Sequence, residues 1–227
     1  MPIFAGWWAR SERPACSCTS RIHAICGTRP AVRDQHQRWQ GKLKDGDVLV
    51  ANHPITGGTH LPDVTVITPV FAQGTKEIIF MLLLVAITPT VSFQLSLKIP
   101  QSLMSSCLVG GILPGSMPPK STELWQEGTA IESEKVVEDG VFSEARMREL
   151  FLDIPSKFNG CSGSRNISDN ISDLKAQIAA NTRGIALVQN LIDEYSLETV
   201  QLYMYAIQTT AELAVRNLLK GLHKRYG

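Results

Sequence analysis

The sequence has almost no net charge and few cysteines, and both features exclude classes of function. Its 227 residues carry 22 Lys and Arg against 21 Asp and Glu, a formal net charge of +1. Because nucleic acids and anionic membranes are bound through clustered positive charge, we expect neither as a partner. The five cysteines are irregularly spaced and lack the paired C-x2-C pattern of a zinc site. They predict free thiols in a reducing compartment, and therefore a cytoplasmic protein.

Long apolar segments and nucleotide-binding motifs are also missing. A membrane-spanning helix needs about 20 apolar residues, whereas the apolar run from Ile78 to Ile87 has ten. The N-terminal MPIFAGWWAR is too short and too broken for a secretory leader. No P-loop, dinucleotide fingerprint or Ser-His-Asp order is present. A run of this length is more typical of a core segment, yet its residues do not alternate and no turn signal flanks it.

The pattern of residues predicts an α+β fold. The N-terminal half is expected to be β-rich with Gly/Pro-rich loops, and the C-terminal part to be α-helical. Strands are predicted at 47–51 and 64–71, and the segment AIESEKVVEDGVF fits strand, turn, strand. A short helix follows, with Ser143 as its candidate N-cap. Residues 1–40 are expected to be poorly ordered or wrongly assigned, apart from a short helix within 31–40.

The last third of the chain predicts two helices. Apolar residues recur at 3-, 4- and 7-residue spacings in the first of them: Leu174, Ile178, Ile185, Val188 and Ile192. A long final helix is expected to open at Ser196. No later element is available to pack against its apolar face, which indicates a fragment of a larger domain or a missing partner.

The loop between the first two predicted strands is the best candidate for chemistry. In order, it contains Asn52, His53, Gly57, Gly58, His60 and Asp63. His60 and Asp63 are three residues apart, so an imidazole and a carboxylate can converge on one divalent cation. Glycines allow a ligand to approach the backbone closely. The alternative is a structural turn in which the His and Asp side chains cap each other or the next strand.

A second polar cluster opens the first C-terminal helix. Its segment, CSGSRNISDNISDLKAQIAANTRG, includes Arg165 and Asn166. Asp173, Gln177 and Asn181 follow at four-residue spacing, which places them on one stripe of a helix. The alternative is N-capping by Asn170 or Ser172, followed by a solvated face.

Three segments closely resemble the hydantoinase B/oxoprolinase family, nearest to its 5-oxoprolinase members: GDVLVANHPITGGTHLPDVTVITPVF, GGILPGSMPPKSTELWQEGTAIES and the CSGSRN segment. The resemblance covers about residues 41–80 and 110–221. It implies ATP-dependent opening of 5-oxo-L-proline to L-glutamate, a hydrolase reaction of glutathione metabolism. It also implies that a hydantoinase A-like half, absent here, binds ATP, and that the enzyme is a homodimer. An N-methylhydantoinase or ketone carboxylase subunit, or a non-catalytic interaction fragment, are the alternatives.

The resemblance also implies roles for individual residues. His60 and Asp63 correspond to a His-x-x-Asp pair that holds a divalent metal together with a later His. Substrate-binding or loop-shaping roles are expected for Asn52, His53, Gly57, Gly58, Arg165, Asn166 and Asp173. Glu134 stands where the family has Phe, which puts a charge into a predicted strand.

Residues 81–109 depart from the family, which reads FYVASRGHHADIGG in this region. Codons for YVASRGHHAD, read one base out of frame, can encode MLLLVAITPT, the sequence of Met81–Thr90. Residues 91–108 then resemble a retained intron that restores the frame. The predicted domain is therefore 41–221, interrupted by an aberrant insert at 81–109 and followed by a tail at 222–227. Because the insert removes the later His, we expect the chain to be inactive as written.

Overall fold

The structure of the protein is a computed structural model that describes residues 5–9, 28–58, 61–86, 110–112 and 120–226. Six strands are present: β1 (Ala5–Ala9), β2 (Val48–Ala51), β3 (Val64–Phe71), β4 (Ile78–Ala86), β5 (Glu134–Glu138) and β6 (Val141–Phe142). Four helices accompany them: α1 (Thr28–Arg38), α2 (Glu144–Arg148), α3 (Ile167–Tyr195) and α4 (Leu197–Tyr226). None of the helices in these ranges is long and apolar enough to cross a bilayer.

The strands form one antiparallel sheet in the order β1-β4-β3-β2-β5-β6. β3 and β4 are neighbours in sequence and in the sheet, because the short turn between them reverses the chain. β5 and β6 are joined through Asp139 and Gly140, both of which have positive φ angles. This two-residue turn matches the right-handed twist of the strands that it connects.

The sheet is apolar on both faces. One core cluster joins Val64 and Val66 of β3 to α2 and to the first turns of α3, including Ile171 and Leu174. The other cluster joins the intervening Ile67 to Met81 and Leu83 of β4 and to Val32 of α1. Alternate residues of β3 therefore point to opposite faces, as the pleat requires. A helix covers each face, so nearly all of β3 can be buried, including Thr65 and Thr68.

Nine of the ten residues of the apolar run at 78–87 form β4, Ile78–Ala86. Met81 and Leu83 are 0% and 2% exposed, and β4 pairs with β3 on one side and with β1 on the other. Burial on this scale stabilises a structure by about 1.5–3 kcal/mol for each large apolar side chain. The run is thus a core strand, whatever the origin of its sequence. Residues 91–108 of the predicted insert lie outside the described residues.

The helical C-terminal part divides between two units, Met1–Thr182 and Arg183–Gly227. The second unit holds the end of α3 and all of α4. Ser196 separates the two helices and has a φ of 73°, a left-handed conformation that ends α3. Its hydroxyl lies 3.2 Å from that of Thr199 in the first turn of α4. The final helix begins at the predicted position, directly after Ser196, and it extends to Tyr226, through most of the predicted tail at 222–227.

The structure confirms the α+β class and the strands predicted at 47–51 and 64–71. In the N-terminal segment, α1 overlaps the short helix expected within 31–40, whereas β1 was not expected. The poor order of residues 1–40 stays a prediction. Ser143 occupies the N-cap position of α2 but makes no side-chain cap hydrogen bond. The charge of Glu134 is accommodated, because its carboxylate accepts a 2.5 Å hydrogen bond from the Arg146 guanidinium of α2.

Candidate functional site

Asn52 fixes the shape of the candidate loop. It follows β2, is fully buried and uses its side-chain amide to join three segments. Its Nδ2 donates to the carbonyl oxygens of Leu61, at 2.6 Å, and Thr129, at 2.9 Å. Its Oδ1 accepts from the backbone N–H of Ile131 at 2.6 Å. A buried amide whose hydrogen bonds are satisfied in this way restricts the loop to one conformation.

Gly57 and Gly58 are packed against the chain's own backbone. A Cβ at Gly57 would lie 2.5 Å from the backbone nitrogen of Ala31, and Gly57 also has a φ of 90°. A Cβ at Gly58 would lie 2.3 Å from the carbonyl oxygen of Asn52. Any side chain at either position would force these segments apart. The glycines therefore shape the loop, and the close approach that they permit is that of β2 and α1.

His53 caps the short 3₁₀ turn Pro54–Thr56. Its Nδ1 accepts a hydrogen bond from the backbone N–H of Ile55 at 3.0 Å. An accepting Nδ1 carries no proton, so the neutral ring bears its hydrogen on Nε2. In this conformation His53 organises the turn and offers Nδ1 to nothing else.

The predicted metal pair is described only in part. His60 lies outside the described residues. Asp63 is half-buried just before β3, and its backbone carbonyl accepts from the Thr65 hydroxyl at 3.4 Å. Within the described ranges no group of three or more His, Cys, Asp or Glu side chains stands close enough to hold a metal ion. These residues do not by themselves make a metal centre, and the metal ligation by His60 and Asp63 stays a prediction.

Asn166 is the N-cap of α3. Its Oδ1 accepts from the Ser168 hydroxyl at 2.8 Å and from the backbone N–H of Asp169 at 3.4 Å. Its Nδ2 donates to the Asp169 carboxylate. The capping residue is thus four positions earlier than the predicted Asn170, which is buried and donates to the Ser164 hydroxyl at 2.7 Å. Arg165, beside the cap, is exposed.

The polar stripe of α3 is not a solvated face. Gln177 and Asn181 are 6% and 2% exposed, whereas Asp173 is half-buried. The Nδ2 of Asn181 donates to the carbonyl oxygen of Val66 at 3.3 Å and to the hydroxyl of Thr68 at 3.1 Å. We call Asp173, Gln177 and Asn181 the α3 polar row. It lies on the side of α3 that packs against β3.

Two members of the row are energetically unfavourable where they stand. The Oε1 atom of Gln177 is buried and, in the described structure, has no hydrogen-bond partner. An unsatisfied buried acceptor costs about 1–3 kcal/mol. Burial, and secondarily the nearby Asp169 carboxylate, raise the pKa of Asp173. Natural proteins tolerate such costs most often at functional positions.

The sequence carried a signal for this burial. Gln177 is three residues after Leu174, and Asn181 is seven after it. Both polar residues therefore share the helix face of a predicted core residue. Reading the polar stripe together with the apolar stripe would have placed the amides against the sheet. The hydrogen bonds of the Asn52 side chain had no such signal in the sequence, because the partner residues lie 9, 77 and 79 positions away.

Comparison with known proteins gives a consistent result. A family model described as hydantoinase B/oxoprolinase matches residues 17–89 and 106–227. The chain is 50% identical over 196 residues to 5-oxoprolinase of Saccharomyces cerevisiae, covering 86% of this chain and 14% of that protein. It is 48% identical over 197 residues to 5-oxoprolinase 1 of Arabidopsis thaliana, with coverage of 86% and 14%. The chain thus spans about a seventh of the length of these relatives.

A solved structure shows the same fold. The ATP-dependent caprolactamase from Pseudomonas jessenii superposes with a TM-score of 0.63, over 86% of this chain and 29% of that chain. The two sequences are 22% identical.

Proposed function

The chain belongs to the hydantoinase B/oxoprolinase family, and we propose that it forms part of an ATP-dependent 5-oxoprolinase. Such an enzyme opens the lactam of 5-oxo-L-proline to L-glutamate. The observation that carries the proposal is the identity of about half of the aligned residues with 5-oxoprolinases of a yeast and a plant. The ketone carboxylase alternative has weaker support, since the acetophenone carboxylase delta subunit of Aromatoleum aromaticum is 26% identical over 206 residues.

The contribution of this chain is to hold a polar loop and a polar helix face in place. Hydrolysis of a lactam breaks a resonance-stabilised C–N bond, so the ring needs activation before water attacks. In the family that activation comes from ATP, which we assign to the hydantoinase A-like half outside this chain. The described residues supply the loop that leads to His60 and Asp63, which is held in place by the hydrogen bonds of Asn52. They also supply the α3 polar row, whose helix packs through Ile171 and Leu174 in the same core cluster as Leu61 and Val64.

We further propose that residues 81–109 make the chain catalytically incomplete. The family match omits residues 90–105, close to the 91–108 expected for a retained intron. This gap supports an insertion at that position. The frame slip would replace the His-His-Ala-Asp sequence that the family carries after β4, and with it the third ligand expected for a metal. We assign no reaction step to that metal.

A pair of chimeras tests both proposals. The aligned 196-residue region of the Saccharomyces enzyme is exchanged for this chain, once as written and once with 81–109 replaced by the family sequence. We expect ATP-dependent release of L-glutamate from 5-oxo-L-proline in the second chimera only. A soluble second chimera without activity would contradict the assigned function. Equal activity in both would contradict the idea that 81–109 is damaging.

A second candidate function is binding of the hydantoinase A-like half through α4. Many of its large apolar side chains are more than half exposed, among them Leu202, Tyr203, Ile207, Leu213 and Leu218. The relatives are about seven times longer than the matched region, so they contain further chain that can cover such a surface. Leu213→Glu should leave the stability of the isolated chain within about 0.5 kcal/mol of the original and abolish co-purification with the A-like half. Unchanged co-purification would contradict this role.

The cytoplasmic location is also a proposal. Cys161 is a free, buried thiol, as expected of a protein from a reducing compartment. The homodimer implied by the family stays a prediction.

A further inference from the structure

The α3 polar row holds a buried acceptor with no partner in the described structure. Oε1 of Gln177 is shielded from solvent, and the whole residue is 6% exposed. Such a group is expected to have a hydrogen-bond donor. The donor is either a structural water or a ligand, and the surroundings of the row favour a ligand.

The row is graded from an outer end to an inner end. Asp173 is half-buried, Gln177 is more deeply buried, and Asn181 is sealed against β3 by its bonds to Val66 and Thr68. One helical turn of about 5.4 Å separates successive members. Gln177 therefore lies between the sealed end and the partly open end. Binding of a ligand at the more open end would require the Gln177 side chain to rotate toward Asp173.

The helix that carries the row packs in the same core cluster as the end of the candidate loop. Leu174, one residue beyond Asp173, belongs to the same core cluster as Leu61 and Val64. These two residues flank Asp63 in the sequence. Asn181, at the inner end, bonds to the middle of β3. Gln177 is one helical turn before Asn181, so it lies in the part of α3 between these two contacts.

We propose that Gln177 is the residue that binds the lactam edge of the substrate, an inference that rests on the proposed function. A small lactam is locked in the cis form, so its N–H and C=O point along the same edge. A primary carboxamide presents an acceptor and a donor in the complementary arrangement. Oε1 accepts the ring N–H, while Nε2 donates to the ring carbonyl oxygen. Two parallel hydrogen bonds then orient the ring, and no covalent step is required of the side chain.

A cation fits the row less well. A cation centre of Asp, Glu, His or Cys ligands needs several of these groups together. In the ranges that the structure describes, no group of three or more of them is close enough to hold a metal. The row contributes one carboxylate and two amides, and the amide of Asn181 is already engaged with the sheet. The uncharged lactam edge of a ligand, which offers both an N–H and a C=O, matches what remains.

Binding of two probes to the 227-residue chain tests the inference. We expect 5-oxo-L-proline to bind, and its N-methyl derivative to bind at least about tenfold more weakly, because methylation removes the N–H donor. Gln177→Met keeps the length of the side chain and removes both hydrogen bonds. We expect at least about tenfold weaker binding of 5-oxo-L-proline and loss of the preference over the N-methyl probe. Gln208→Met, at an exposed position of α4, is the matched control and should change neither.

A stability measurement separates binding from a structural role. Because Gln177→Met removes an unsatisfied acceptor, we expect an unchanged or higher midpoint of urea unfolding. A lower midpoint with unchanged binding would show that a structural water satisfies Oε1, and would overturn the inference. Equal binding of the N-methyl probe would overturn it too. If the chain did not bind 5-oxo-L-proline but the restored chimera were active, the role of Gln177 would be refuted. The proposed function would not be affected by that result.

Discussion

Substitution of Asn52 by Ala tests whether one buried amide holds the candidate loop. The change removes three hydrogen bonds, those to the carbonyl oxygens of Leu61 and Thr129 and from the backbone N–H of Ile131. Each buried partner that is left unsatisfied costs about 1–3 kcal/mol. Entry of water into the space of the side chain reduces this sum. We expect a net loss of about 3–6 kcal/mol, a large share of the roughly 5–15 kcal/mol of a typical domain.

Urea unfolding followed by circular dichroism measures the effect. With a slope of about 2 kcal/mol per molar urea, a loss of 3 kcal/mol lowers the midpoint by about 1.5 M. Asn190→Ala, at an exposed position of α3, is the control and should change the free energy of unfolding by less than about 0.5 kcal/mol. A loss of less than about 1 kcal/mol in Asn52→Ala would refute the reasoning, because it would mean that the three bonds do not fix the loop.

Two further predictions concern packing and charge. Gly58→Ala places a Cβ 2.3 Å from the carbonyl oxygen of Asn52. Thermal unfolding should therefore show a free energy of unfolding that is lower by about 1–3 kcal/mol. The control is Gly221→Ala, in open space on α4, which should not destabilise the chain. Burial and the nearby Asp169 carboxylate raise the pKa of Asp173 in the folded chain. As pH rises, the unfolded chain therefore loses this proton before the folded chain does. The free energy of unfolding falls between the two pKa values and stays lower at all higher pH. Asp173→Asn should therefore raise the urea midpoint at neutral pH and lose this advantage on acidification; an equal gain at every pH, or none at neutral pH, would contradict the assignment.

Local patterns predicted the elements of this fold well. β3 was predictable because seven of its eight residues, all but Pro69, favour strands, and the structure buries the first seven of the eight. α4 was predictable because Ser196 separates two long segments whose apolar residues recur at helical spacing. These signals come from residues close together in the sequence.

The candidate site was less predictable, because its contacts join distant parts of the chain. The partner of Glu134 is Arg146, on the following helix. The buried state of Asn181 depends on β3, 113 residues earlier at Thr68. The cap of α3 was also not predicted: Asn170 makes a buried hydrogen bond to Ser164, six residues earlier, and Asn166 caps the helix instead. The spacing of polar residues predicts that they share one face of a helix. It does not predict whether that face packs against the sheet or faces solvent.

Sequencing of the transcript across codons 71–115, beside the genomic DNA, tests the central claim most directly. The claim is that a 5-oxoprolinase-type chain is interrupted by family codons read out of frame, followed by a retained intron. We expect a transcript that encodes the family's GHHADIGG after an intron is removed. Transcripts that encode only MLLLVAITPT through to LVGG, from genomic DNA without splice signals at residues 91 and 108, would contradict it. The segment would then be a genuine part of this protein.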